Sequence, residues 1–330
     1  MHNHKLLPQQ SAYPSAEMTS TIRPTFVPRT AVAIGCAVAL AGFAGRAAFA
    51  HGYAGDRFFP ATLATDDPFA ASELSLPTVS SIDNETDVTF DAAVLVLPRF
   101  AIGFDETWVD LPGASGFGNL GLSAKWNFLV SDAHEMLLSV GLDTEVGGTG
   151  ASKIGEDFTT YTPALFFGKG FGDLPSRFGL LRPFAITGSL GVAIPDSAST
   201  TTASFDPGTG TTSFDTEQHP HFLQTGLAVE YSMPYLQSAV KDYGLPEFFN
   251  HLIPLVEISL QTGLDRGDHD TTGFIYPGAI YTAQYFQLGV EAAVPLNVAS
   301  GRDVGVLAQL HFYLDDVVPA VFSRPLFGGN

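Results

Sequence analysis

The stretch 119–128 alternates apolar and polar residues without a break, and no other feature of this chain constrains its fold as tightly. Leu120, Leu122, Ala124, Trp126 and Phe128 fall on one side of an extended strand. Asn119, Gly121, Ser123, Lys125 and Asn127 fall on the other. Successive side chains of a strand point to opposite faces, so the segment has one oily face and one wet face. The pattern returns along most of the chain in segments of roughly 10 residues, the strand length that crosses a bilayer when tilted. This predicts an all-β fold: a transmembrane antiparallel β-barrel of about twelve strands, with about ten as the alternative.

Charged residues make up only 15% of the 330, whereas a soluble protein carries about 25%. Lipid against much of the outside explains the deficit, and a dry β-sandwich shares it. A sandwich, however, points its oily faces inward and its charged faces outward. Here the polar faces carry Gly, Ser, Thr, Ala, Gln and isolated acids, with very few Lys, which suits a lumen. A lipocalin-like barrel in the periplasm would reverse the faces and use fewer strands.

Residues 1–50 read as a signal peptide. Lys5, Arg23 and Arg29 form a positive region opposed only by Glu17. Residues 31–44 are apolar but too short to span a membrane as a helix, and Ala48-Phe49-Ala50 is an A-x-A cleavage site that leaves His51 at the mature N-terminus. Ala33-Ile34-Gly35-Cys36 makes a poor lipobox. Cleavage removes the single cysteine, so the mature chain forms no internal disulfide. It also removes Lys5, Arg23, Arg29 and Arg46 from the 15 basic residues and Glu17 from the 34 acidic ones, leaving a formal charge of −22. Phosphate binding needs clustered Lys and Arg, so nucleic acid is excluded as a partner. Lipid of the outer membrane of a Gram-negative cell, a small solute and the barrel-assembly machinery are the expected partners.

Residues 51–73 lack periodicity and hold Pro60, Pro68 and the pair Asp66-Asp67, so they are expected to form an irregular arm, periplasmic or plugging the lumen. The barrel is expected over 74–315 and a tail over 316–330. The strand near 74–81 is the weakest. Clearer ones follow at 88–96, 100–108, 119–128, 138–145, 160–169, 181–194, 223–233, 252–262, 274–282, 286–296 and 304–314. The connections at 98–99, 131–134 and 283–284 are short, and those at 147–158, 195–220 and 265–273 are long and polar. That is the division between periplasmic turns and outside loops in such barrels. The connections at 170–179 and 234–250 break the rule, the second with a helical turn expected around Phe248 and Phe249. Trp108, Trp126, Tyr231, Phe312 and Tyr313 read as interface girdle or lipid-facing residues.

The block 94–110 followed by 116–129 resembles the outer-membrane family named for the MetA pathway of phenol degradation. That family shows an "LGLELP"-like strand and then "GxGDLxLGAKYRL". The counterparts here are Arg99-Phe100-Ala101-Ile102-Gly103-Phe104, and Gly116-Phe117-Gly118-Asn119-Leu120-Gly121-Leu122-Ser123-Ala124-Lys125-Trp126. Asn119 replaces the family's usual Asp, and Trp126 its commoner Tyr. Over about 50 residues the resemblance implies an outer-membrane barrel of a transporter type. It does not imply phenol as the cargo.

Asp91, Asp105, Asp143, Glu145, Glu230, Glu257 and Glu291 fall on the wet faces and are expected to project into the lumen, with His311 beside them and Lys125 as the lone basic residue among them. A ring of carboxylates concentrates cations and disfavours anions. The same acids can instead bond to polar neighbours and merely hold the barrel closed. No cofactor is expected. His51 as an amine-imidazole chelate, the pair His219 and His221, and His269 among Asp265, Asp268 and Asp270 are weaker metal-ligand patterns. No G-x-S-x-G, H-E-x-x-H or P-loop motif is present, so enzymatic chemistry is not expected. The resulting expectation is a channel or transporter for small polar or cationic solutes or hydrophobic small molecules. The alternatives are an occluded structural or interaction barrel and, further off, an outer-membrane hydrolase.

Overall fold

The structure, a computed structural model, describes residues 52–266 and 269–328. The expected leader with Cys36, its cleavage site, His51 and Asp268 lie outside the described residues.

Twelve antiparallel strands close into a barrel: β1 (Glu73–Ile82), β2 (Glu85–Leu97), β3 (Phe100–Leu111), β4 (Leu120–Ser131), β5 (Met136–Val146), β6 (Thr160–Gly170), β7 (Phe184–Pro195), β8 (Phe222–Tyr231), β9 (Leu252–Gly263), β10 (Thr271–Thr282), β11 (Phe286–Pro295) and β12 (Gly305–Tyr313). Each pairs with its sequence neighbour, and β12 returns to β1, from Val306 opposite Ser81 to Tyr313 opposite Glu73, with a bulge between Gln309 and His311. Closure leaves the twelve-stranded wall no free edge, which is what an all-β body with an oily outside requires.

The alternation read at 119–128 holds in β4. Leu122, Trp126 and Phe128 are exposed outward, while Asn127 is 3% exposed on the inner face. Outward side chains meet across strands in a continuous row, Phe100 beside Trp126, then Val140, Leu165 and Leu190. One member of the expected girdle is misassigned. Tyr313 points inward, is 4% exposed, and donates its hydroxyl to Gln287 at 2.9 Å, because it shares the parity of Gln309 and His311 rather than that of Phe312.

Both ends of the described chain lie at one end of the barrel, here called inner, together with the turns at 98–99, 132–135 and 283–285. The two long inner connections hold short helices, at Ser176–Leu181 and at Met233–Tyr235, Leu236–Val240 and Glu247–Asn250. The outer end departs from expectation twice. β1 and β2 are joined there by a two-residue turn, Asp83-Asn84, both at positive φ (49° and 67°), a conformation that Asp and Asn tolerate and tight hairpins demand. The region 195–220 is a hairpin ribbon, Ser199–Asp206 paired with Thr211–Gln218, because its threonines favour extended backbone. A short strand, Ala114–Phe117, also folds back on the outer half of β3.

The arm lies inside. Its Phe59 packs with Ala54, Leu137 and Ala185, and its Leu63 and Ala64 pack against Tyr276, Ala293 and Leu307. Arm and wall are thus joined by two apolar contacts, one at the inner end around Phe59 and one farther out around Leu63. Beyond β12 the chain forms the helices Leu314–Val317 and Pro319–Phe322, then Leu326 and Phe327 donate backbone bonds to Leu95 and Val96 at the inner end of β2.

Closure makes a direct prediction. Opposed Cα atoms in an antiparallel pair lie about 4.5–5.5 Å apart, within disulfide reach. In a background without Cys36, a Ser81→Cys/Val306→Cys variant should oxidise almost fully to an intramolecular disulfide, seen as altered mobility without heating. Absence of cross-linking would mean the first and last strands are not paired.

Candidate functional site

The site is the lumen, built from the inward residues of the wall and from the arm that crosses it. Gly226 and Gly289 stand where the arm comes closest. A Cβ on Gly226 would meet Thr65 at 3.0 Å, and one on Gly289 would run into the Leu63 side chain. The wall is thus relieved of side chains where the arm sits, and that match makes the arm a built-in part of the barrel.

Glu257 is the anchor. The carboxylate is fully buried and accepts the backbone N–H groups of Leu63 (2.8 Å), Ala64 (3.2 Å) and Thr65 (2.7 Å), and the Thr65 hydroxyl (2.6 Å). Successive N–H groups aimed at one anion form a nest. Further along, Lys125 donates to Asp66 at 2.7 Å and to the Asp67 carbonyl at 2.7 Å, with its ammonium 4.7 Å from the Phe166 ring centre. Asn127 accepts from Ala70 N–H and donates to the Pro68 carbonyl, and Gln287 donates to the Ala61 carbonyl.

At the inner end Arg57, fully buried, corrects the expectation that Lys125 is the only basic group inside. Its Nε faces Glu135 Oε2 at 3.2 Å, it donates to the carbonyls of Arg182 and Pro183, and its guanidinium lies 3.8 Å from the Tyr235 ring centre. The Tyr235 hydroxyl donates to Glu135 at 2.8 Å. Burial and that bond push its pKa up to about 12, so it remains a donor across the physiological range. Arg57 has no periodic context in the sequence, and only its place beside Asp66-Asp67 in a proline-punctuated segment marks the arm as polar enough to dock.

The remaining predicted residues divide into two groups. Asp91, Asp105 and Asp143 line a cavity of about 230 Å³ above the arm, together with Asp66, Glu73 and Lys125. Asp105 and Asp143 also line a second space of about 420 Å³ nearer the outer end, joined there by Glu145, Asn119 and Gln224. Together these spaces form a vestibule lined by carboxylates and ending on the arm. Glu145 accepts from Asn119 at 3.2 Å. Glu230 and Glu291 are instead packed deep in the wall, 1% and 2% exposed. Glu230 Oε1 lacks a hydrogen-bond partner among the described residues, and Glu291 lies against Glu257.

His311 joins Ser75 through Nδ1 at 3.0 Å and approaches Glu73 through Nε2 at 3.6 Å, the connectivity of a Ser–His–carboxylate triad. The space beside it is only about 10 Å³, Ser75 is 2% exposed, and its hydroxyl is shared with Asp91. No acyl substrate fits there. Elsewhere His219 stacks on Phe158 at 3.7 Å, and His221 bonds to Asp265 at 3.2 Å, so the two histidines face different partners. His269 is exposed. Among the described residues, no three His, Cys, Asp or Glu gather as a metal cluster.

No protein-family model matches the chain, and no curated protein matches it, so the resemblance to the phenol-pathway family stands on its quoted residues alone. Solved structures give weak likenesses. The outer-membrane channel from Pseudomonas putida F1 is 11% identical, with a TM-score of 0.48 over 78% of this chain and 99% of its own. The NanC porin is 8% identical, with 0.43 over 74% and 99%. The beta domain of the Bordetella autotransporter BrkA is 12% identical, with 0.40 over 75% and 99%. Likenesses of this degree carry no information on cargo.

The Glu257 nest has a testable consequence. Glu257→Gln leaves one acceptor oxygen and turns an amide NH₂ toward backbone donors. With charged hydrogen bonds contributing about 1.5–3 kcal/mol each, the arm should open on the order of 100-fold more often. Chymotrypsin should then cut after Leu63 while the barrel keeps its circular dichroism. Unchanged resistance would remove Glu257 as the anchor.

Proposed function

We propose that the protein is an outer-membrane channel for small polar and cationic solutes, held shut by its own N-terminal arm. The membrane reading is supported by the outward row of large apolar side chains. A surface with Phe104 at 53%, Leu165 at 56% and Val290 at 52% exposure on separate parts of the barrel belongs in lipid rather than water. The two short-turn exceptions at the inner end carry helices. The termini lie at the same end, which is the periplasmic end in this reading.

The observation that carries the channel reading is the vestibule. Asp105 and Asp143 belong to both the outer space and the cavity above the arm, so a solute entering from the outer end meets carboxylates continuously until Lys125 and Asp66. Its polar lining favours polar and cationic cargo over hydrophobic molecules. A permanently closed barrel is the second reading, favoured by the number of wall residues that bind the arm. The middle of the arm is fastened by hydrogen bonds and one ion pair, contacts that water can replace.

Planar-bilayer recording separates the two. The full mature chain should be silent or open briefly, and deletion of residues 52–72 should give stable, cation-selective openings. Silence of the deleted form, with the barrel folded, favours the closed barrel. In the deleted form, Asp105→Asn/Asp143→Asn should bring the cation-to-anion permeability ratio down severalfold. Glu230→Gln, set in the wall away from the vestibule, should leave it unchanged.

A further inference from the structure

The inner rim carries a groove that the channel does not use. It runs between the helix Ser176–Leu181 and the end of the helical stretch Leu236–Val240, encloses about 420 Å³, and is lined by Phe178, Leu181, Val240 and Tyr243, with Arg177 and Lys241 at its edges. That volume falls within the range of small-molecule sites, about 300–1,000 Å³.

Three observations fix the chemistry of its occupant. First, the lining holds two cations and no carboxylate, in a chain whose formal charge is −19. Neither Arg177 nor Lys241 has an acidic partner among the described residues, whereas Arg57, Lys125 and Lys169 are each paired. Second, each cation lies over an aromatic ring of the groove, Arg177 4.8 Å from the Phe178 centre and Lys241 4.9 Å from that of Tyr243. The charges are thereby held at the edge of an apolar bed. Third, the two connections that form the groove adjoin the inner ends of β7 and β8, at Phe184 and Tyr231. Tyr231, an outward residue of β8, packs edge-on against Phe184 at 4.7 Å. In the connection after β8 Phe248 stacks on Tyr281 at 5.5 Å, and in the one before β7 Leu180 is left 59% exposed.

We infer that this groove binds an anionic phospholipid of the periplasmic leaflet, with the phosphate between Arg177 and Lys241 and an acyl chain along Phe178, Leu181 and Val240. The inference rests on the membrane reading above. Cations beside an apolar surface at the membrane boundary are the recognised arrangement for acidic headgroups. Apolar bed and charge together distinguish a lipid from free phosphate, which needs only the charge.

Native mass spectrometry of the full mature protein in an uncharged detergent tests this. Dioleoyl-phosphatidylglycerol should be retained in preference to the phosphatidylcholine of the same chains. A cation near a membrane surface contributes about a fivefold change in affinity, so Arg177→Gln/Lys241→Gln should weaken phosphatidylglycerol retention about 25-fold. Leu181→Ser/Val240→Ser should reduce retention of both lipids. Equal retention of the two lipids by the unaltered protein, or unchanged retention in the cation variant, overturns the proposal. Displacement of the lipid by millimolar glycerol phosphate overturns it in favour of a soluble phosphate ligand, and displacement by an acidic peptide in favour of a protein partner. Heat-modifiable migration checks that each variant is folded. Fractionation with outer membranes tests the membrane reading by itself: a protein that fractionates there without lipid preference loses only the groove.

Discussion

A buried carboxylate with no cation beside it must find donors, and in this barrel Glu257 finds them on the arm. The wall satisfies its own backbone through strand pairing, so its N–H groups are not available to that charge. The turn at Leu63–Thr65 presents its N–H groups instead. Once that turn is fixed, chain length decides the rest. Ala61 falls beside Gln287, Asp66 beside Lys125, and Ala70 beside Asn127. The position of the plug is therefore set by one side chain and then propagated along the arm.

The barrel was legible in the sequence because every strand repeats one local rule. Leu122, Trp126 and Phe128 go out and Lys125 and Asn127 go in for the same reason in β4 as elsewhere. Tyr313 shows the limit: an aromatic reads as girdle by type, but its parity with His311 sends it inward. The site was half legible. Parity placed the carboxylates inside, yet could not separate the vestibule acids Asp105 and Asp143 from the wall acids Glu230 and Glu291, since all share one face. That division depends on where the arm lies. Glu257 and Leu63 are 194 positions apart, and no periodicity in either segment announces the contact.

Carboxylates gather on one side of Lys125. Asp91, Asp105, Asp143 and Glu145 line the spaces that end on Lys125 and Asp66, whereas charges of both signs mix at the inner end, where Arg57 faces Glu135 and Lys169 faces Asp173. Lys125 stands at the end of that row of carboxylates, beside Asp66 of the arm. Its ammonium holds the arm through Asp66.

The arm also touches the far end of the chain, where Phe58 meets Tyr313 edge-on at 6.0 Å. Its binding surface draws on β4, β9, β11 and β12, so it exists only when the last strand has paired with the first. Contacts of such sequence separation form late, because the entropy of closing the intervening chain must be met before they give any return. The segment leading into the barrel is consequently the last to settle, and an arm in place is the molecule's own mark that the cylinder behind it is complete.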